Sequence, residues 1–176
     1  MIVCNGLPKT GTHALMKAVQ LLGRVDTEHA HSPTGVTGQH IHICREPRNV
    51  LVSWVRFIRS EVTQGFLIGA MQEYFEEGTF HDEYMAYSHW LNDAPLSVRF
   101  EELIGDGGVT IQAVADYLQV PYLSDAYDHL PGLTVTYTGQ LSNWRDHWTP
   151  EVESAWVTHG GPEIESVYGY ANTYPG

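Results

Sequence analysis

Two short stretches carry side chains suited to holding an anion. Lys9-Thr10-Gly11-Thr12 sets a cation, two hydroxyls and a glycine directly ahead of a helical pattern. Arg45 and Ser53 stand eight residues apart with Pro47 between them. Arginine offers a planar fork of donors that matches phosphate, and the serine hydroxyl adds a further donor, so the pair can converge on one anion. Ten histidines are present, but none falls into the H-E-x-x-H spacing of a zinc helix, and the two cysteines form no paired metal pattern. No metal site is expected.

The elements around these residues place them. Met1 to Cys4 is a short apolar run that reads as a buried strand, broken by Asn5-Gly6-Leu7-Pro8. Ala14, Leu15, Ala18, Val19 and Leu22 then recur at helical spacing, with Thr12 expected to cap the start and Gly23 to end the helix. Strand, glycine-containing loop with a lysine, and helix start is an arrangement that holds phosphate. The first backbone N–H groups point outward, the helix dipole favours negative charge, and Lys9 adds a full positive charge. The nucleotide loop G-x-x-x-x-G-K-[ST] is not met, because the lysine here precedes Gly11 by two residues.

Further along, residues 24–31 and 40–44 read as strands, and a helix is expected from Arg48 to Val62 with Val50, Leu51, Trp54, Val55, Ile58 and Val62 on its apolar face. Gly65 and Gly69 read as a break. Two aromatic-rich helices over 70–77 and 82–91, a strand over 96–100 and a helix over 110–119 follow, with most of the aromatics expected in the core. Residues 121–139 read as irregular. Thr149-Pro150 opens a helix in the favoured order, and Pro162 begins a last short one. Strands alternating with helices predict an α/β fold, a parallel sheet with helices on both faces, in a single domain over 1–176.

Charge is unevenly distributed in a chain of net charge −12. Residues 1–60 hold seven basic and three acidic residues, whereas residues 61–176 hold Arg99 and Arg145 against 18 acids. Positive charge therefore gathers where the anion loop lies. The acidic remainder lacks the broad basic face that nucleic acid requires, and it repels a heavily sulfated polysaccharide. No run of 18 apolar residues and no basic-then-apolar leader is present, so neither membrane nor secretion is expected. Cys4 and Cys44 fall in strand-like runs, which predicts buried thiols and a cytoplasmic setting.

Pro8-Lys9-Thr10-Gly11-Thr12 resembles the 5′-phosphosulfate loop of the sulfotransferases that use 3′-phosphoadenosine 5′-phosphosulfate (PAPS). Arg45-Glu46-Pro47-Arg48-Asn49-Val50-Leu51-Val52-Ser53 resembles their 3′-phosphate segment, with the Arg, Pro, Val and Ser in place. His29-Ala30-His31-Ser32-Pro33, Val98-Arg99-Phe100-Glu101-Glu102-Leu103 and Gly139-Gln140-Leu141-Ser142-Asn143-Trp144-Arg145 resemble further family segments in the same order. The resemblance implies a P-loop-like sulfotransferase architecture and sulfuryl transfer from PAPS to a hydroxyl or amine of a small-molecule acceptor. PAP would be the product, and no metal would be required. It further implies donor contacts from Pro8, Lys9, Thr10, Gly11, Thr12, His13, Arg45, Ser53, Phe100 and Gly139, with Lys9 at the departing phosphate and His31 as the base. His29 is the nearest rival for that proton, and His13 can reach the same place.

The chain departs from the pattern in four places. Tyr137-Thr138 stands where relatives carry Arg-Lys, Phe100 replaces a tyrosine, His13-Ala14 replaces Thr-Trp, and much of the acceptor-covering structure is missing. Charge-assisted contacts contribute roughly 1.5–3 kcal/mol each, so Arg48 or Arg145 must substitute or donor affinity falls. Three other readings remain: a non-catalytic binder of phosphorylated nucleotides, a nucleotide or small-molecule kinase with a degenerate phosphate loop, and an interaction domain that kept the fold and lost the cofactor. An acceptor lying against the aromatic region 54–90 would be neutral or amine-bearing.

Overall fold

The computed structural model describes residues 1–34, 37–74, 76–105, 108–122 and 143–171. Its strands are β1 (Ile2–Asn5), β2 (Thr27–Ala30), β3 (Gln39–Cys44) and β4 (Ser97–Arg99). The helices are α1 (Thr12–Leu21), α2 (Pro47–Ile58), α3 (Gln64–Gly69), α4 (Thr79–Tyr87), α5 (Trp90–Asp93), α6 (Phe100–Gly105), α7 (Val109–Leu118), α8 (Pro150–Thr158) and α9 (Gly161–Val167). A π-helical turn (Ala70–Tyr74) extends α3, and a 3-10 turn (Asn143–His147) precedes α8. No helix among the described residues is long and apolar enough to cross a membrane. Two compact units are distinguishable. One is carried by the described residues among Met1–Arg45 and Trp90–Leu141, the other by those among Glu46–His89 and Ser142–Gly176.

The first unit holds the sheet, in the order β2-β1-β3-β4, with every pairing parallel. Alternation along the strands assigns the faces. Ile2, Cys4, Ile41, Ile43 and Val98 pack on one face with Leu15, Ala18 and Val19 of α1 and Ile111, Val114 and Ala115 of α7. His40 belongs to the other face, where Trp90 of α5 stacks on it with ring centroids 4.9 Å apart. The expected parallel sheet with helices on both faces is therefore present in this unit. Cys4 and Cys44 are buried free thiols, and burial pushes the Cys4 thiol up to about 12.

Several local expectations need correction. Gly11, not Thr12, is the N-cap of α1; it is left-handed and donates no side chain, while Thr12 is the first helical residue. Gly23 does sit just past the helix, its N–H on the Gln20 carbonyl at 2.9 Å. The strand over 96–100 stops at Arg99, and Phe100 opens α6, which buries Phe100 and Leu103 under the sheet. Helix α6 itself was not expected, since its six residues hold too few apolar repeats to show a period.

In the second unit, α2 begins one residue earlier than expected and ends four residues sooner. Glu46 caps it with both carboxylate oxygens, accepting from the N–H groups of Arg48 at 3.0 Å and Asn49 at 2.7 Å. The chain leaves the helix at Arg59, whose backbone is extended, and Thr63 then caps α3, its Oγ1 accepting from the Phe66 N–H. Helix α3 runs through Gly65 and Gly69 rather than breaking there. Burying Leu67 outweighs the glycine penalty, about 1 kcal/mol per residue. Phe80, Tyr84 and Tyr87 of α4 are core, as their spacing predicts.

Trp156 anchors this unit's core, fully buried against Phe80 and Trp148. Arg48 lies within cation–π distance of Trp144, Trp148 and Trp156 and pairs with Glu165 and, at 3.2 Å, with Glu153. Burial pushes the Glu165 carboxyl up, while Arg48 opposes that shift. Removing the cation strands a mostly buried carboxylate. Arg48→Met is expected to lower unfolding stability by roughly 2–3 kcal/mol, and Arg48→Met/Glu165→Leu by less, read as urea midpoints. Equal midpoints for the single variant and the parent would contradict this role.

Candidate active site

Strand β1 delivers the chain to a tight loop at its C-terminal end. The Thr10 N–H and Oγ1 both donate to the Leu7 carbonyl, at 3.2 and 2.7 Å, which closes the turn. Lys9 sits inside it at φ +74°, a left-handed conformation that costs a side-chain-bearing residue about 1 kcal/mol or more. A Cβ at Gly6 would lie 2.5 Å from the Ile43 carbonyl oxygen, so only glycine allows the loop to press on β3. Gly11 has φ +110°, and a Cβ there would overlap the Phe100 ring.

Phe100 and Arg45 close one side. The Arg45 guanidinium lies 4.4 Å from the Phe100 ring centroid, and its Nη1 donates to the Lys9 carbonyl at 3.4 Å. Lys9, Thr10, Gly11, Thr12, Arg45 and Phe100 are thus brought together in one unit. Phe100 in place of a tyrosine acts here as a flat support for arginine. Burial, and then the nearby Arg45, push the Lys9 ammonium below its ordinary value. Excess positive charge is thereby concentrated beside the start of α1, which has no side-chain cap and no acidic residue in its first turn. Those features fit an anionic phosphate group.

His31 approaches from the edge strand. Asn5, fully buried, donates through Nδ2 to the Ser32 carbonyl at 2.9 Å and accepts from the Ser32 N–H at 3.1 Å. These two hydrogen bonds clamp the segment after β2 to the end of β1. His31 Nδ1 then lies 2.7 Å from the Gly6 carbonyl oxygen. A carbonyl can only accept, so Nδ1 carries the hydrogen and Nε2 keeps its lone pair. Burial, offset by that bond and reinforced by His29 and Lys9, pushes the His31 imidazole below its ordinary value. The free base is favoured near neutral pH. His13, exposed at the start of α1, lies with its ring centroid 4.1 Å from that of His29. Sequence reading passed over Asn5; its signal was a polar residue at the end of an apolar strand. Among the described residues no group of three or more His, Cys, Asp or Glu is placed to hold a metal.

No family model matches the chain, and no curated protein matches it in sequence. In structure it matches the crystal structure of mouse sulfotransferase SULT7A1 complexed with PAP, with a TM-score of 0.70. The match covers 99% of this chain and 88% of that one at 15% identity. The chain has the sulfotransferase fold.

Pro8 is a half-buried member of the loop. Ser53 lies on α2, half-buried, in the second unit, whereas Arg45 belongs to the first. Gly139 and the Tyr137-Thr138 pair lie outside the described residues. Arg48 is not a spare cation for a missing Arg-Lys pair, because Glu153, Glu165 and three indoles hold it. Arg145 is exposed, its guanidinium 4.7 Å from the Trp144 ring centroid.

Proposed function

We propose that the protein is a PAPS-dependent sulfotransferase acting on a hydroxyl or amine of a small-molecule acceptor. The observation that carries this reading is the His31 imidazole, bonded through Nδ1 to the Gly6 carbonyl in the same loop that holds Lys9. One loop therefore supports a free-base imidazole and a cation, the two groups that acceptor deprotonation and leaving-group neutralisation require.

When bound, the donor supplies a sulfuryl group activated by its linkage to a 5′-phosphate. Lys9 and the N–H groups at the start of α1 would hold that phosphate and neutralise charge on it, with the Thr12 hydroxyl as a further donor, while the Thr10 hydroxyl, committed to the Leu7 carbonyl, shapes the loop. The resemblance assigns Arg45, Ser53 and Gly139 to the 3′-phosphate and Phe100 and His13 to the nucleoside. His31 takes the acceptor proton on Nε2. Sulfuryl transfer depends on position and charge more than on covalent catalysis, so the residues named suffice.

Incubation with PAPS and a panel of small alcohols, phenols and amines, followed by PAP and sulfated product, tests the reading. Equal amounts of PAP and sulfated product support it. PAP binding with no transfer to any acceptor would favour a non-catalytic nucleotide binder, the reading that the Tyr137-Thr138 replacement keeps open.

A further inference from the structure

Three imidazoles gather at the loop end of β2. His29 pairs in register with Cys4, on the face of the sheet that α1 covers. Its ring centroid lies 4.1 Å from that of His13 and 5.6 Å from that of His31. The groups that face His31 are the Gly6 carbonyl, His29 of β2, and Lys9 of the β1–α1 loop. Those that face His13 are His29, His31, Lys9 and Lys17 of α1. Every charge in both sets is positive when present, so a proton on one imidazole opposes a proton on the next. Burial and these neighbours push the His13 imidazole down as they do that of His31.

We propose that His29 is a positioning residue that keeps His31 a free base, by placing a second imidazole, on which a proton opposes a proton on His31, against the ring whose Nδ1 is already committed to Gly6. The inference rests on the sulfotransferase reading for its use, though not for its physics. At the ring separation of 5.6 Å, unit-charge repulsion amounts to about half a pH unit even at the dielectric constant of water. His29 is exposed on an edge strand, so replacing it leaves the core untouched.

The test is an NMR titration of the imidazole Cε1–H signals in the full chain, with His31 assigned through His31→Ala. His29→Gln is expected to raise the His31 midpoint and His29→Lys, which fixes a charge there, to lower it, the two shifts together spanning about half a pH unit. The acidic limb of kcat/KM for PAPS turnover should move in the same two directions with its plateau unchanged. A His31 midpoint that stays put in both variants would overturn the proposal. A purely structural role does not produce opposite shifts. Failure of the sulfotransferase reading shows separately, as absent turnover with the NMR shifts intact.

Discussion

His31→Ala lowers turnover by about 10²–10⁴-fold while affinity for PAP stays within about twofold, the expected split for a general base that does not hold the nucleotide. The prediction follows from the Nδ1 bond to Gly6, which leaves only Nε2 to accept a proton. It also fixes the pH dependence. His31 is held below its ordinary value of 6.5, so lowering the pH protonates it late. kcat/KM, which reports the free enzyme, should rise with pH through that depressed value and level off by neutrality. His31→Ala should lose this limb. A variant that kept parental turnover would move the base to His29 or His13, and His29→Ala would then show the loss instead.

Lys9→Met lowers turnover by about 10²–10³-fold, the range seen when one preorganised charge partner of a reacting group is removed. Affinity for PAP falls less, by about tenfold, in line with one charge-assisted contact. Methionine keeps the stem and removes the charge. Lys9→Arg is not a conservative control, because a planar guanidinium cannot replace a compact ammonium at a backbone φ of +74° with Arg45 already beside it. Lys9→Gly separates strain from charge. It relieves the left-handed backbone and should raise thermal stability, yet it should be as inactive as Lys9→Met. Steady-state rates at saturating PAPS, with calorimetric PAP affinities for each variant, distinguish the two effects.

Much of this arrangement was legible in the residues. The apolar run of β1, the glycine loop and the helical repeat of α1 are local patterns, and local patterns survive folding. So did the Arg45-to-Ser53 segment as strand end followed by helix, although Glu46 proved to be its cap. What was illegible depended on contacts between distant residues. Gly11 replaced Thr12 as the cap because the loop must pass against Phe100, which is distant in sequence. Phe100 left its strand to open α6 because Leu103 and Phe100 are buried together under the sheet. Arg48 read as a spare cation, yet its carboxylates lie more than a hundred residues away on α8 and α9. Glycines at 65 and 69 read as punctuation, and helix α3 kept both. What distinguishes His31 from His29 is its contact with the Gly6 carbonyl, which no spacing encodes.

Calorimetric titration of the 176-residue chain with PAP tests most directly whether the loop around Lys9 is a nucleotide-phosphate site. The expected result is saturable one-to-one binding that weakens by about tenfold in Lys9→Met and persists in His31→Ala. No heat of binding to the parent, or identical affinities for the parent and Lys9→Met, would contradict it.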